Sequence, residues 1–148
     1  MRDHQGCLTL CALLMLSLCE ISAGESLAGQ WREAVLTAYS PLDDLTRDDN
    51  GNPHRLTSTG VRTASVPYGV AADPSALPYG TRVLVPAGLG YLDASRAGDR
   101  VFTVDDTGPI VRRRTRATGV LHLDLRFRSV ASALAFGVRR AWVLVLDR

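Results

Sequence analysis

GVAADPSALPYGTRVLV, residues 69–85, is the stretch on which the fold turns. Its two ends, 69–72 and 81–85, are short apolar runs that read as strands, and between them Pro74, Pro78 and Gly80 impose turns. Strands this short, punctuated this densely, suit an all-β domain. The same pattern recurs on either side. Residues 32–39 (REAVLTAY) alternate as a first strand, and 100–104 form another that is broken by Gly108 and Pro109. In 122–126 (HLDLR), Leu123 and Leu125 take one face and leave His122, Asp124 and Arg126 on the other. AWVLVL, 141–146, reads as a buried closing strand. Between the first two strands, 40–60 is rich in Asp, Asn, Gly and Pro and reads as a long exposed loop. SVASALAF, 129–136, is the one convincing helix, with Ser129 placed to cap its start and Gly137 to stop it. Six strands and one short α-helix argue for a small closed barrel.

Composition narrows the chemistry. The chain has 148 residues, enough for one domain, and its 17 basic residues are all arginine. Schiff-base chemistry and a phosphate-loop lysine are therefore excluded. The only glutamates are Glu20, Glu25 and Glu33, so carboxylate chemistry in the body of the chain falls to aspartate. All three cysteines, Cys7, Cys11 and Cys19, lie in or beside the apolar run LTLCALLMLSL at 8–18. With Arg2 before it and Ser22, Ala23 and Gly24 after it, this run reads as a signal peptide over 1–23, too short to span a bilayer. Cleavage after Ala28 is the second choice. Lipidation at Cys19, which would tie the protein to an outer membrane, is a further alternative, although Leu18 stands where a small residue is expected. The exported domain, 24–148, would carry about +3 charge and no disulfide, in the periplasm or outside the cell.

Three local patterns invite a chemical reading. The cluster Asp48, Asp49, Asn50, Gly51, Asn52 suggests a calcium loop, but aligning Gly51 with the turn glycine puts Thr46 at the first ligand position and Thr57 at the twelfth, where a glutamate is required. A solvated loop is the better account. Arg112, Arg113, Arg114 and Arg116 form a basic run without interleaved aromatics in a chain of net charge +2, which argues against nucleic acid. It reads as a solvated loop or a contact for an anionic cell-envelope polymer. Asp106, Thr107 and Gly108 resemble the catalytic loop of aspartic proteases, which need two such aspartates sharing a proton. That alternative predicts a symmetric dimer with two copies of Asp106 in contact.

A second resemblance covers more of the chain. VLTAY (35–39), TSTG (57–60), GVAADPSALPYGTRVLVPAGLG (69–90), FTVDDTG (102–108), HLDLRF (122–127) and ALAFGVRRAWVLVL (133–146) are similar, in order, to the three-aspartate (3D) domain family. That family is related to the C-terminal part of membrane-bound lytic transglycosylase A. The resemblance implies a six-stranded double-psi β-barrel that cleaves peptidoglycan glycan strands between N-acetylmuramic acid and N-acetylglucosamine, with no metal or organic cofactor. By position it implies Asp124 as acid/base, Asp106 beside it and Asp73 in support. Tyr39, Thr107, Gly108 and Arg126 would meet the substrate, and the exported form is expected to lack a transmembrane helix and to be monomeric.

Physical chemistry sets conditions on that assignment. A free aspartate, with a pKa of ~3.9, is ionised at neutral pH, so an acid at Asp124 needs burial or a like-charged neighbour such as Asp106. Arg126, on the same strand face, would act the other way if paired with it. The chain also departs from the family after Asp-Thr-Gly: Pro109, Ile110, Val111 and the arginine-rich insert replace a Gly-rich continuation with its lysine. Asp-Thr-Gly-Pro leans toward the related rare lipoprotein A barrels. The alternative from another class is a non-catalytic glycan-binding barrel, whose groove would hold Asp106 and Asp124 apart or both paired to arginines.

Overall fold

A computed structural model describes residues 28–42, 56–63, 68–89 and 100–146. The signal segment, the cysteines and the Asp/Asn cluster at 48–52 lie outside the described residues. Six strands, β1 (Gly29–Tyr39), β2 (Gly69–Ala71), β3 (Arg82–Val85), β4 (Arg100–Asp106), β5 (Leu121–Arg126) and β6 (Arg139–Leu146), close into a barrel in the order β1-β5-β2-β4-β3-β6. β1 runs parallel to β5 and β2 parallel to β4, and the other neighbouring pairs are antiparallel.

Alternation explains the closure. Ala34 and Leu36 of β1, Val70 of β2, Val83 and Val85 of β3, Phe102 and Val104 of β4, Leu123 and Leu125 of β5, and Val143 of β6 point inward and form one buried core. Full burial of each large aliphatic or aromatic side chain contributes about 1.5–3 kcal/mol, which lets the barrel stand without a cross-link among the described residues.

Two short helices flank the barrel, where the sequence suggested one. The expected one, α2 (Val130–Phe136), begins at Ser129, whose hydroxyl accepts from the Ser132 N–H at 3.1 Å, and ends at Gly137. Phe136 and Ala133 pack into the core beside Phe127. The other, α1 (Pro109–Thr118), occupies the arginine run that reads as a loop. Its residues looked solvated because most of them are, but Val111 and Thr115, four apart, give the segment a narrow buried side. Pro109 at the first turn and Gly119 in the left-handed conformation set its ends. The Thr115 hydroxyl also accepts the His122 backbone N–H at 3.0 Å, which docks the helix along β5.

Segment 56–63 adds an anchor to the long exposed loop. Thr57 and Thr63 are buried, Leu56 bridges to Arg62, and the Thr57 N–H donates to the Val61 carbonyl at 2.9 Å. This turn is anchored by Thr57 and Thr63, while Leu56, Ser58, Thr59, Gly60 and Arg62 stay exposed as the loop reading expects.

Candidate active site

The site begins with a slip in strand pairing. Val70 of β2 faces Val104 of β4, but the next pair is Ala71 with Asp106, so Asp105 is an extra residue. Such a bulge re-aims the side chains around it. Val104 points into the core, and in regular alternation Asp106, two residues on, would follow it there. The bulge instead sets Asp106 beside Ala71 on the outer face. Ala71 pairs on its other side with Asp124, and Asp124 pairs with Thr37 of β1. Four strands thus present one row, Asp106, Ala71, Asp124 and Thr37, with the two aspartate backbones about 10 Å apart at ordinary strand spacing. Ala71 is small enough to leave the room between the carboxylates open.

That row borders a cleft of about 610 Å³. Leu56, Thr57, Ser58 and Thr63 form one wall, and residues 107–111, leading into α1, form another.

The two carboxylates of the cleft differ in their partners. Asp124 accepts from the Thr37 hydroxyl at 2.7 Å, and among the described residues no arginine pairs with it. Burial pushes its pKa up, the Thr37 hydrogen bond opposes this, and the charge of Asp106 adds to the rise. Asp124 therefore keeps its proton to higher pH than a free aspartate. Asp106 is an acceptor for four donors: Tyr39 Oη at 3.0 Å, the Ser58 N–H at 3.0 Å, Ser58 Oγ at 2.7 Å and the Thr107 N–H at 2.9 Å. So many donors fix its position.

Beneath the cleft lies a buried ion pair. Both terminal nitrogens of Arg126 donate to Asp105, at 2.9 and 2.6 Å, and its Nε donates to Tyr39 Oη at 2.9 Å. The phenol accepts from the guanidinium and donates to Asp106, so the order of hydrogen bonds is set from Asp105 through to the cleft. Burial holds the Tyr39 hydroxyl well above the ordinary tyrosine range, which keeps that donor protonated. Gly69 makes the pair possible, because a Cβ there would fall on the Arg126 guanidinium and on Asp105. The 126 side chain does share a strand face with Asp124, as alternation predicts, but Asp105 claims it.

Of the residues singled out from sequence, the structure gathers Asp124, Asp106, Tyr39, Thr107 and Gly108 around the cleft. Thr107 Oγ1 donates to the Ala72 carbonyl at 2.7 Å, which ties the floor to the start of α1. Arg126, expected on substrate, is 2 % exposed and acts on the cleft from beneath, through Tyr39 and at 4.0 Å from Asp106. Asp73 does not line the cleft. Its carboxylate accepts from Arg116 Nε at 2.7 Å and from Ser75 Oγ at 2.8 Å, and the Arg116 hydrogen bonds hold its pKa well below the usual carboxylate range. It fastens α1 to the turn after β2.

Sequence reading missed Thr37, Ser58, Asp105 and Arg116. Thr37 had a signal, since it shares a strand face with Tyr39; Ser58 stands inside TSTG, which carried a family likeness but no assigned role. In comparisons with known proteins, the chain matches no family model and no curated relative.

Proposed function

We propose that this protein is an exported double-psi β-barrel that cleaves peptidoglycan glycan strands by the lytic transglycosylase reaction, with Asp124 as acid and then base. The observation that carries the reading is Asp124 itself. It is a half-buried carboxyl with no arginine partner among the described residues, bonded by Thr37 and open to a cleft whose other carboxylate adds to the rise in its pKa. Lone carboxyls tuned upward beside a fixed carboxylate suit general acid catalysis near neutral pH. The strand order with two parallel pairs, β1 with β5 and β2 with β4, supports the double-psi form of the barrel. The N-terminal apolar run supports export.

In this reaction the Asp124 proton passes to the glycosidic oxygen, which leaves as the C4 hydroxyl of N-acetylglucosamine. The muramyl C6 hydroxyl bonds to C1 as that bond breaks, and its proton returns to Asp124. The 1,6-anhydro ring closes without water, and the enzyme ends in its starting protonation state. Asp106, held by Tyr39, Ser58 and Thr107, would lend its negative charge to the positive charge developing at C1.

The arrangement favours catalysis over glycan binding alone, because Asp106 and Asp124 share one cleft and an arginine does not neutralise Asp124 among the described residues. Purified peptidoglycan incubated with the protein should release 1,6-anhydro muropeptides, read by mass spectrometry. Asp124→Asn should cut the yield by about 10²–10⁴-fold, the scale of general acid catalysis. Products of ordinary hydrolysed mass would replace the mechanism, and an absence of products from protein that still pellets with the wall would replace the enzyme with a binding barrel.

A further inference from the structure

The outer face of β1 continues the cleft row downward in register. Thr37 stands beside Asp124, and two residues earlier Val35 is flanked by His122 of β5 and Arg140 of β6. Glu33 then pairs with Trp142, and Trp31 with Leu144. From Thr37 to Trp31 this path is about 20 Å long at the rise of a strand.

Two features distinguish the path from ordinary barrel surface. The first is charge: Arg140 is exposed and Arg114 projects from α1, and burial together with these two guanidiniums lowers the pKa of the His122 imidazole between them. Glu33 lies 3.7 Å from Arg140, so two guanidiniums and one carboxylate surround the imidazole, and the net positive charge that remains makes this stage a place for an anion. The second is aromatic. Trp31 is 54 % and Trp142 61 % exposed, on neighbouring strands and diagonal in register. Large flat apolar surfaces left in water on adjacent strands, with Glu33 and Arg140 at their edge, are unusual for a surface that meets only solvent. An indole face matches the C–H face of a pyranose ring, and the flanking charged groups match its hydroxyl and carboxylate substituents.

We infer that the β1 outer face is a track for an acidic glycan polymer, which enters or leaves the cleft past Thr37, sets a carboxylate near Arg114 and Arg140, and stacks sugar rings on Trp142 and Trp31. The inference rests on the glycan reading of the cleft and adds to it a requirement for chain length. Continuity in register with the cleft and the basic stage between cleft and tryptophans single out a carboxylate-bearing glycan as the occupant.

The test uses a property of the sequence: Trp31 and Trp142 are the only two tryptophans in the chain, so tryptophan emission reports this face alone. Full-length Asp124→Asn protein would be titrated with soluble peptidoglycan strands and, separately, with disaccharide-peptide fragments that fill only the cleft. Strands should shift or quench the emission and fragments should leave it unchanged. In protein with Asp124 intact, Trp31→Ala and Trp142→Ala should each raise KM for strands by about tenfold, the scale of an aromatic hot spot, with kcat and melting temperature unchanged. Strands that are bound or cleaved with no change in emission would overturn the track while sparing the glycosidase. Emission that responds to strands without cleavage by the wild type would uphold the track and remove the enzyme reading. Emission that depends on protein concentration alone would overturn the track in favour of a contact between copies of the chain.

Discussion

Two carboxylates on one face of the barrel wall have been given opposite environments. Asp105 has both oxygens bonded to the Arg126 guanidinium, in a space that Gly69 leaves free by having no side chain. Asp124, across β2, has one hydroxyl for a partner and a cleft in front of it. The first arrangement is electrically closed and holds Tyr39 and, through it, Asp106 in place. The second leaves a carboxyl under-stabilised as an anion, which is what a proton donor needs. On the proposed function, the rigid pair and Asp124 belong to one device: neutralised charge below fixes the geometry in which the carboxyl above would act.

The largest way to break this comparison is to remove the closed half. Asp105→Ala would take the close counter-ion from the buried Arg126 guanidinium and leave it the Asp106 carboxylate at 4.0 Å, at a cost of about 3 kcal/mol in denaturant unfolding. Asp105→Ala combined with Arg126→Met should recover much of that stability but not the placement of Tyr39, so activity should stay low.

A smaller intrusion comes from one carbon. Gly69→Ala should cost about 1–3 kcal/mol, since its Cβ collides with a pair enclosed on all sides and cannot be relieved by a flexible chain end moving into solvent. A melting curve equal to wild type would show that the guanidinium has room to shift.

The smallest effect has the opposite sign and sharpens the contrast. Burial raises the Asp124 pKa from the ordinary 3.8, so in acid, where folded and unfolded chains are both protonated, the group imposes no penalty. As pH rises from that ordinary value through the raised one, the unfolded chain gives up its proton first and stability is lost. Asp124→Asn does not titrate, so its melting temperature should match wild type in acid and exceed it at neutral pH, while activity is lost. Equal melting temperatures at both pH values would mean that Asp124 ionises as freely in the fold as outside it.

Much of this was legible from residue order. Alternation in HLDLR separated Leu123 and Leu125 from Asp124 and Arg126, and the barrel keeps that division. Ser129 and Gly137 announced α2, because capping is a local interaction between a side chain or a turn and the backbone beside it. Thr107 and Gly108, singled out by the motif, line the cleft.

What escaped was whatever depends on partners far apart in the chain. The arginine run 112–116 read as loop because its helical signal is only Val111 and Thr115, and their value appears once β5 is there to receive them. Arg126 could be given a strand face from sequence but not a partner, since the choice of Asp105 over Asp124 depends on a bulge between β2 and β4. Asp73 carried the family position, yet its carboxylate went to Arg116, 43 residues away. Residue order settled which residues could be strands, where caps and turns fall, and that carboxylate chemistry in the body of the chain falls to aspartate. Tertiary structure alone decided which aspartate was neutralised and which has no counter-charge among the described residues, because burial and ion pairing are properties of the space between strands and not of either strand.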